Sequence, residues 1–206
     1  QDGTDELEHL KGETPPVPKE QGKAKKGDTS VTKMIRMASN FASQTSQKAI
    51  LLLDAFITSK YAFDAAQREP GNITLITGGK KNTVAFEPPE PPKEKKRGRP
   101  RKYGDKVILG ELFKNTIDAF TTVTMNLYGK EETIEYLYRD LLWRPIGRML
   151  RFVMVKAGEK TMILMCSDLT MDPEKIILAY SYRFKIEVSF KMLKQNLGGF
   201  FYHFWT

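Results

Sequence analysis

Apolar positions along this chain change their period several times. Residues 1 to 30 are rich in Gly, Pro, Lys and Glu and almost without apolar periodicity, which predicts a linker, a mobile loop or the cut edge of something longer. From Val31 to about Ser46, Met34, Ile35, Ala38, Phe41 and Ala42 recur at helical spacing. Thr29 or Ser30 can cap that helix, and Lys33, Arg36, Asn40 and Gln44 form its polar side. Ile50 to Leu53 make a short, wholly apolar strand of the kind buried between two helical layers, and Asp54 ends it. A short helix over Ser59 to Gln67 and a second buried strand, Ile73 to Thr77, follow. Helix, strand, helix, strand predicts a three-layer α/β arrangement with a mostly parallel sheet.

After Gly78 the pattern shifts. EPPEPPKEKKRGRPRKYG, from Glu87 to Gly104, has too much Pro and Gly to pack as a helix or central strand. Short apolar runs come next: Val107 to Leu109, Phe120 to Met125, Leu150 to Val155 and Thr161 to Met165. They predict an antiparallel, β-rich region over about 78 to 170. KNTIDAF and EYLYRDLLW fit this pattern less well, a helix being the alternative for the second. Asp172-Pro173-Glu174 restarts a helix, with Met171 or Asp172 at its cap, Pro in the first turn and Glu174 complementing the dipole. No internal repeat is visible.

Composition narrows the field. The chain has 206 residues and a formal charge of +8, enough for one substantial core and biased toward a polyanionic partner. The single cysteine, Cys166, adjoins an apolar run and reads as a buried strand thiol, with no disulfide framework. His9 and His203 lack companions at zinc-ligand spacing. No apolar run approaches bilayer-spanning length and the start is not that of a signal peptide, so a soluble intracellular protein is expected.

The chemical message is strongest near the end. YSYRFKIEVSFKMLK, from Tyr180 to Lys194, spaces its polar residues as Tyr-x2-Arg-x3-Glu-x6-Lys. On one helix at about 100° per residue, measured from Glu187, Arg183 lies at about −40°, Tyr180 at about +20°, Lys194 at about −20° and Lys191 at about +40°. An acid ringed by cations and a tyrosine suits a divalent metal beside a gripped phosphodiester. A solvated i,i+4 charge ladder is the plainer alternative. Asp54, at the carboxyl end of a buried strand, occupies the position where ligands collect in open α/β sheets, although a turn residue would look the same.

The Tyr-Arg-Glu-Lys segment, together with the flanking CSDLTMDPEKIILAY and QNLGGFFYHFW, resembles the C-terminal signature of the IS4-type DDE transposases. LLLDAFITSKYAF resembles the segment of that family that carries its second catalytic Asp. The resemblance covers about residues 45 to 206. It implies a partial RNase H-like three-layer α/β fold, with residues 31–77 and 171–206 in the core and 78–170 as a β-rich insertion between the second Asp and the Glu. It further implies Asp54 and Glu187 as catalytic metal ligands for Mg²⁺, with Mn²⁺ as a substitute, and strand cleavage and joining at insertion-sequence ends. The implied partners are double-stranded transposon-end and target DNA, bound by a homodimer in a bacterial or archaeal cytoplasm. The family's first Asp has no counterpart before Asp54, because the strand it needs is missing there and Asp2 is a weak substitute. The chain alone is therefore expected to be inactive.

By the same resemblance Tyr180, Arg183 and Lys194 contact DNA phosphates, with Lys191 beside them. Lys80 and Lys81 follow the second strand and are expected on the same phosphate surface. KEKKRGRPRK holds seven basic residues against Glu94, and Arg97, Arg99 and Arg101 in RGRPR match the core of a minor-groove arm. Trp143, beside Arg144, is a base-stacking candidate, with a core anchor as the alternative. A non-catalytic or degenerate DNA-binding segment, and an RNase H-like nuclease that does not join strands, are the rival functions.

Overall fold

The computed structural model describes residues 29–68, 73–90 and 101–195. Helix α1 (Ser30–Thr45) is capped by the Thr29 hydroxyl, which accepts from the Thr32 amide, and it ends at Ser46 in the left-handed region. Strand β1 (Ala49–Leu53), helix α2 (Lys60–Arg68) and strand β2 (Ile73–Gly79) follow. Short strands β3 (Val84–Phe86) and β4 (Lys106–Ile108) precede α3 (Leu109–Asn115) and a 3-10 turn at Ile117–Ala119. Then come β5 (Thr121–Leu127), β6 (Lys130–Trp143), β7 (Arg148–Ala157), β8 (Lys160–Cys166), α4 (Pro173–Ser181) and α5 (Arg183–Gln195).

All eight strands belong to one sheet, ordered β1-β2-β8-β7-β6-β3-β4, with β5 also on β6. The β-rich segment thus builds no sheet of its own. Its last strand joins β2 in antiparallel register from Ile76↔Cys166 to Gly79↔Ile163. Among the described strands only β1 and β2 run parallel, from Ala49↔Ile73 to Leu53↔Thr77. The pair expected to be parallel, β1 and β2, is parallel and the strands of 78–170 are antiparallel as expected, but they share one sheet that is mainly antiparallel as a whole. The connections explain this: β5–β6 and β7–β8 are joined through Tyr128-Gly129 and Gly158-Glu159, far too short for a parallel crossover.

Alternation along the central strands fills two cores. Leu75, Phe152, Met154, Ile163 and Met165 face one layer with Ile35 of α1 and Ala62 and Phe63 of α2. Ile76, Val153, Val155, Leu164 and Cys166 face the other with Ile176, Ile177 and Tyr180 of α4. Coverage on both faces turns β7 and β8 into near-continuous apolar runs.

EYLYRDLLW, left open between strand and helix by the sequence, is strand within β6. Leu137 and Leu141 are four apart, a spacing that shares one face of a helix and equally one face of a strand. The expected single helix through Tyr180 and Lys194 is two. The amide of Tyr182 donates to the Ala179 carbonyl at 3.1 Å and the Ser181 hydroxyl to the Leu178 carbonyl at 2.7 Å, tightening the chain into a turn between α4 and α5. Among the described residues no helix is long and apolar enough to cross a membrane.

Candidate functional site

Asp54 follows β1 directly and starts a turn. Its carbonyl accepts from the Ile57 amide at 3.0 Å, and its Oδ1 accepts from the Phe56 amide at 3.2 Å. Both the turn role and an outward-facing oxygen coexist, because Oδ2 is left to accept from Arg183 Nη1 at 3.0 Å. The turn is pinned from beneath. Thr77, fully buried at the end of β2, donates to the Asp54 carbonyl at 3.3 Å, and Thr58 Oγ1 donates to the Gly78 carbonyl at 2.8 Å while meeting the Thr77 hydroxyl.

Glu187 arrives from α5. Arg183, one turn before it, donates to Glu187 Oε1 through the same Nη1 at 2.7 Å. The two carboxylate oxygens therefore lie within about 5.7 Å of each other (3.0 plus 2.7). The Asp54 and Glu187 side chains are 48% and 53% exposed, so these ion pairs add little stability. Their placement leaves both carboxylates accessible to a ligand.

Tyr180 underlies the arginine. Its phenol is buried, and the Arg183 guanidinium carbon stands 5.5 Å from the ring centroid. Burial raises the Tyr180 pKa above its ordinary value, so the phenol stays a neutral donor at physiological pH. Burial opposes the charge on Arg183, but Tyr180, Asp54 and Glu187 outweigh it and raise its pKa. Lys191 and Lys194 continue along α5, with Glu187, Phe190 and Gln195, around an open groove of about 390 Å³. Lys80 and Lys81 are exposed just beyond β2, at the same end of the parallel pair as Asp54.

Other expected contacts separate from this cluster. Trp143 is buried and packs edge-on to Phe63, with centroids 5.4 Å apart, which is the core-anchor arrangement rather than a ring offered to a base. Arg101 is exposed, and Arg97 and Arg99 lie outside the described residues. Sequence reasoning did not single out Thr58, Thr77 or Gly78. Thr77-Gly78 at the close of an apolar run was their one visible signal.

The donor set suits a hard cation in part. Two carboxylates are as many as Mg²⁺ often takes from a protein, waters and phosphate oxygens completing the octahedron. A shared ion needs the oxygens within about 4 Å, twice the Mg–O distance of about 2.1 Å, and it would compete with the Arg183 guanidinium for the same two carboxylates. Among the described residues no group of three or more His, Cys, Asp or Glu side chains is gathered. No family model matches the chain, and no curated protein or solved structure matches it.

Proposed function

We propose that this chain is the core segment of a DDE-type DNA transposase, with an RNase H-like arrangement around Asp54 and Glu187. One observation carries the reading: carboxylates from distant parts of the sequence meet at a single arginine, beside the end of a parallel strand. In this reading Arg183 exchanges its two carboxylates for the non-bridging oxygens of a phosphodiester, to which a guanidinium gives paired, directional hydrogen bonds. Asp54 and Glu187 are thereby freed to hold Mg²⁺. Bound there, the ion supplies activation of an attacking hydroxyl and stabilisation of charge on the departing oxygen. Tyr180, neutral and braced under the guanidinium, keeps Arg183 aimed, and Lys191 and Lys194 extend the cationic surface along the DNA backbone. Among the described strands β1 stands at the end of the sheet, where a further strand carrying a third acidic ligand would pair.

A second reading, a DNA-binding segment without chemistry, draws on the absence of a third acidic ligand among the described residues. Strand cleavage by the enzyme that carries this segment separates the two. Asp54→Asn or Glu187→Gln should abolish cleavage of transposon-end DNA and leave DNA binding largely intact. Arg183→Ala should weaken both, without rescue by added Mg²⁺. Wild-type cleavage by Glu187→Gln rejects the catalytic reading.

A further inference from the structure

Helix α5 carries Arg183, Glu187, Lys191 and Lys194, yet none of its residues is buried. Phe184, Ile186, Val188, Phe190 and Met192 all stand exposed along it. The turn at Tyr182 fixes where α5 starts, and the half-exposed Arg183–Asp54 pair tethers its first turn only weakly. Its heading needs a further support.

The β5–β6 hairpin reaches it. Leu127 pairs with Lys130, leaving Tyr128 and Gly129 as the whole loop, with φ of 56° and 82°. Two-residue turns with both φ positive favour Asn-Gly, because a larger side chain is disfavoured in the left-handed region. A tyrosine there makes the turn worse, so its presence calls for a compensating contact. The Tyr128 ring meets Phe184 of α5 edge-to-face, with centroids 5.6 Å apart and planes at 83°. Both rings remain 49% exposed, so burial of the tyrosine does not account for the choice.

We propose that Tyr128 is a positioning residue: the hairpin tip sets the heading of α5, and through it where Glu187 and Arg183 stand relative to Asp54. This role does not depend on which chemistry the site performs.

Tyr128→Asn separates the turn from the helix. Asparagine suits the left-handed position better, so β5 and β6 should keep or gain protection from amide hydrogen exchange. Exchange across α5 should instead accelerate about two- to tenfold, the range expected when one edge-to-face aromatic pair is lost. Tyr128→Phe retains the ring and should exchange like the wild type. Spin labels on Lys160→Cys and Lys191→Cys should give a broader distance distribution in the Tyr128→Asn background. Unchanged α5 exchange in Tyr128→Asn, an unchanged distance distribution, or a Tyr128→Phe variant that behaves like Tyr128→Asn overturns the proposal. None of these measurements requires catalysis, so their failure leaves the functional reading standing.

Discussion

Replacing Gly78 with alanine should destabilise the protein by driving a methyl group against Tyr180. A Cβ built at this position would stand 2.9 Å from Tyr180 Oη, 3.0 Å from Ala55 Cβ and 3.4 Å from Ala55 Cα. Carbon contacts are most favourable at about 3.5–4.0 Å, so two neighbours must retreat by about half an ångström. The backbone has little freedom to yield, since β2 is paired on both sides, to β1 and β8. Overpacking of this kind costs about 1–3 kcal/mol. At about 2–4 °C per kcal/mol for a domain of this size, Tm should fall by about 2–12 °C. Tyr180→Phe deletes the nearer contact and leaves that to Ala55. In that background Gly78→Ala should therefore cost less, by a coupling of about 0.5–2 kcal/mol. Urea unfolding of the wild type, both single variants and the double variant measures it. A neutral Gly78→Ala, or the same cost in both backgrounds, refutes the placement of Tyr180 over β2 and with it the floor of the candidate site.

Three further outcomes follow from other parts of the molecule. Burial pushes the Cys166 thiol from 9.0 up to about 11, so the folded state keeps a proton that the unfolded state loses. Stability from this group is fully present below the unfolded value and declines as pH rises from about 9 to about 11; a thiol reagent at pH 8 should react only as fast as the protein opens, and rapid native-state labelling contradicts this. Arg151 grips Asp140 at 2.8 and 2.7 Å and donates to the Met171 carbonyl at 2.7 Å, so Arg151→Met should cost about 1–3 kcal/mol in denaturant unfolding, discounted for the partial exposure of the pair. Adding Asp140→Leu should recover part of that loss, and strict additivity would deny the coupling. Replacing Arg97, Arg99 and Arg101 with Ala should weaken DNA binding and flatten the slope of log affinity against log salt, since fewer counterions are released; an unchanged slope assigns the arm elsewhere.

Sequence pattern revealed the elements better than their pairing. Ile73–Thr77, Leu150–Val155 and Thr161–Met165 stand out because strands covered on both faces leave continuous apolar runs. Ile50–Leu53 is as apolar, but of its residues only Leu53 is buried and Ile50 is 47% exposed, so the expected buried strand is a partly covered one at the end of the strand order. How the two groups join was not legible: Gly158-Glu159 marks the β7–β8 hairpin, but nothing in the apolar period announces that β8 returns to pair with β2. The segment 135–143 stayed open between strand and helix because Leu137 and Leu141 satisfy both periods. At the site, Asp54 was legible from its place after a buried strand and Glu187 from its spacing to Arg183. That one arginine nitrogen bridges both carboxylates is a tertiary fact, set by where the start of α5 meets the turn after β1. The hydroxyls of Thr58 and Thr77 were equally invisible, since Thr77 reaches the Asp54 carbonyl and Thr58 the Gly78 carbonyl across the β1–β2 pair, contacts about twenty residues apart that no local pattern announces.

Asp54 and Glu187 are proposed to form one metal site. Titration of the chain with Mn²⁺, read as paramagnetic broadening of backbone amides, tests it without requiring catalysis. Amides around Asp54 and around Glu187 should broaden together, at the same midpoint, with Mg²⁺ competing. Either Asp54→Asn or Glu187→Gln should abolish the broadening at both segments, because each carboxylate alone is a weak ligand. Broadening that persists around Glu187 in Asp54→Asn, or around Asp54 in Glu187→Gln, would make the carboxylates independent and contradict the shared site.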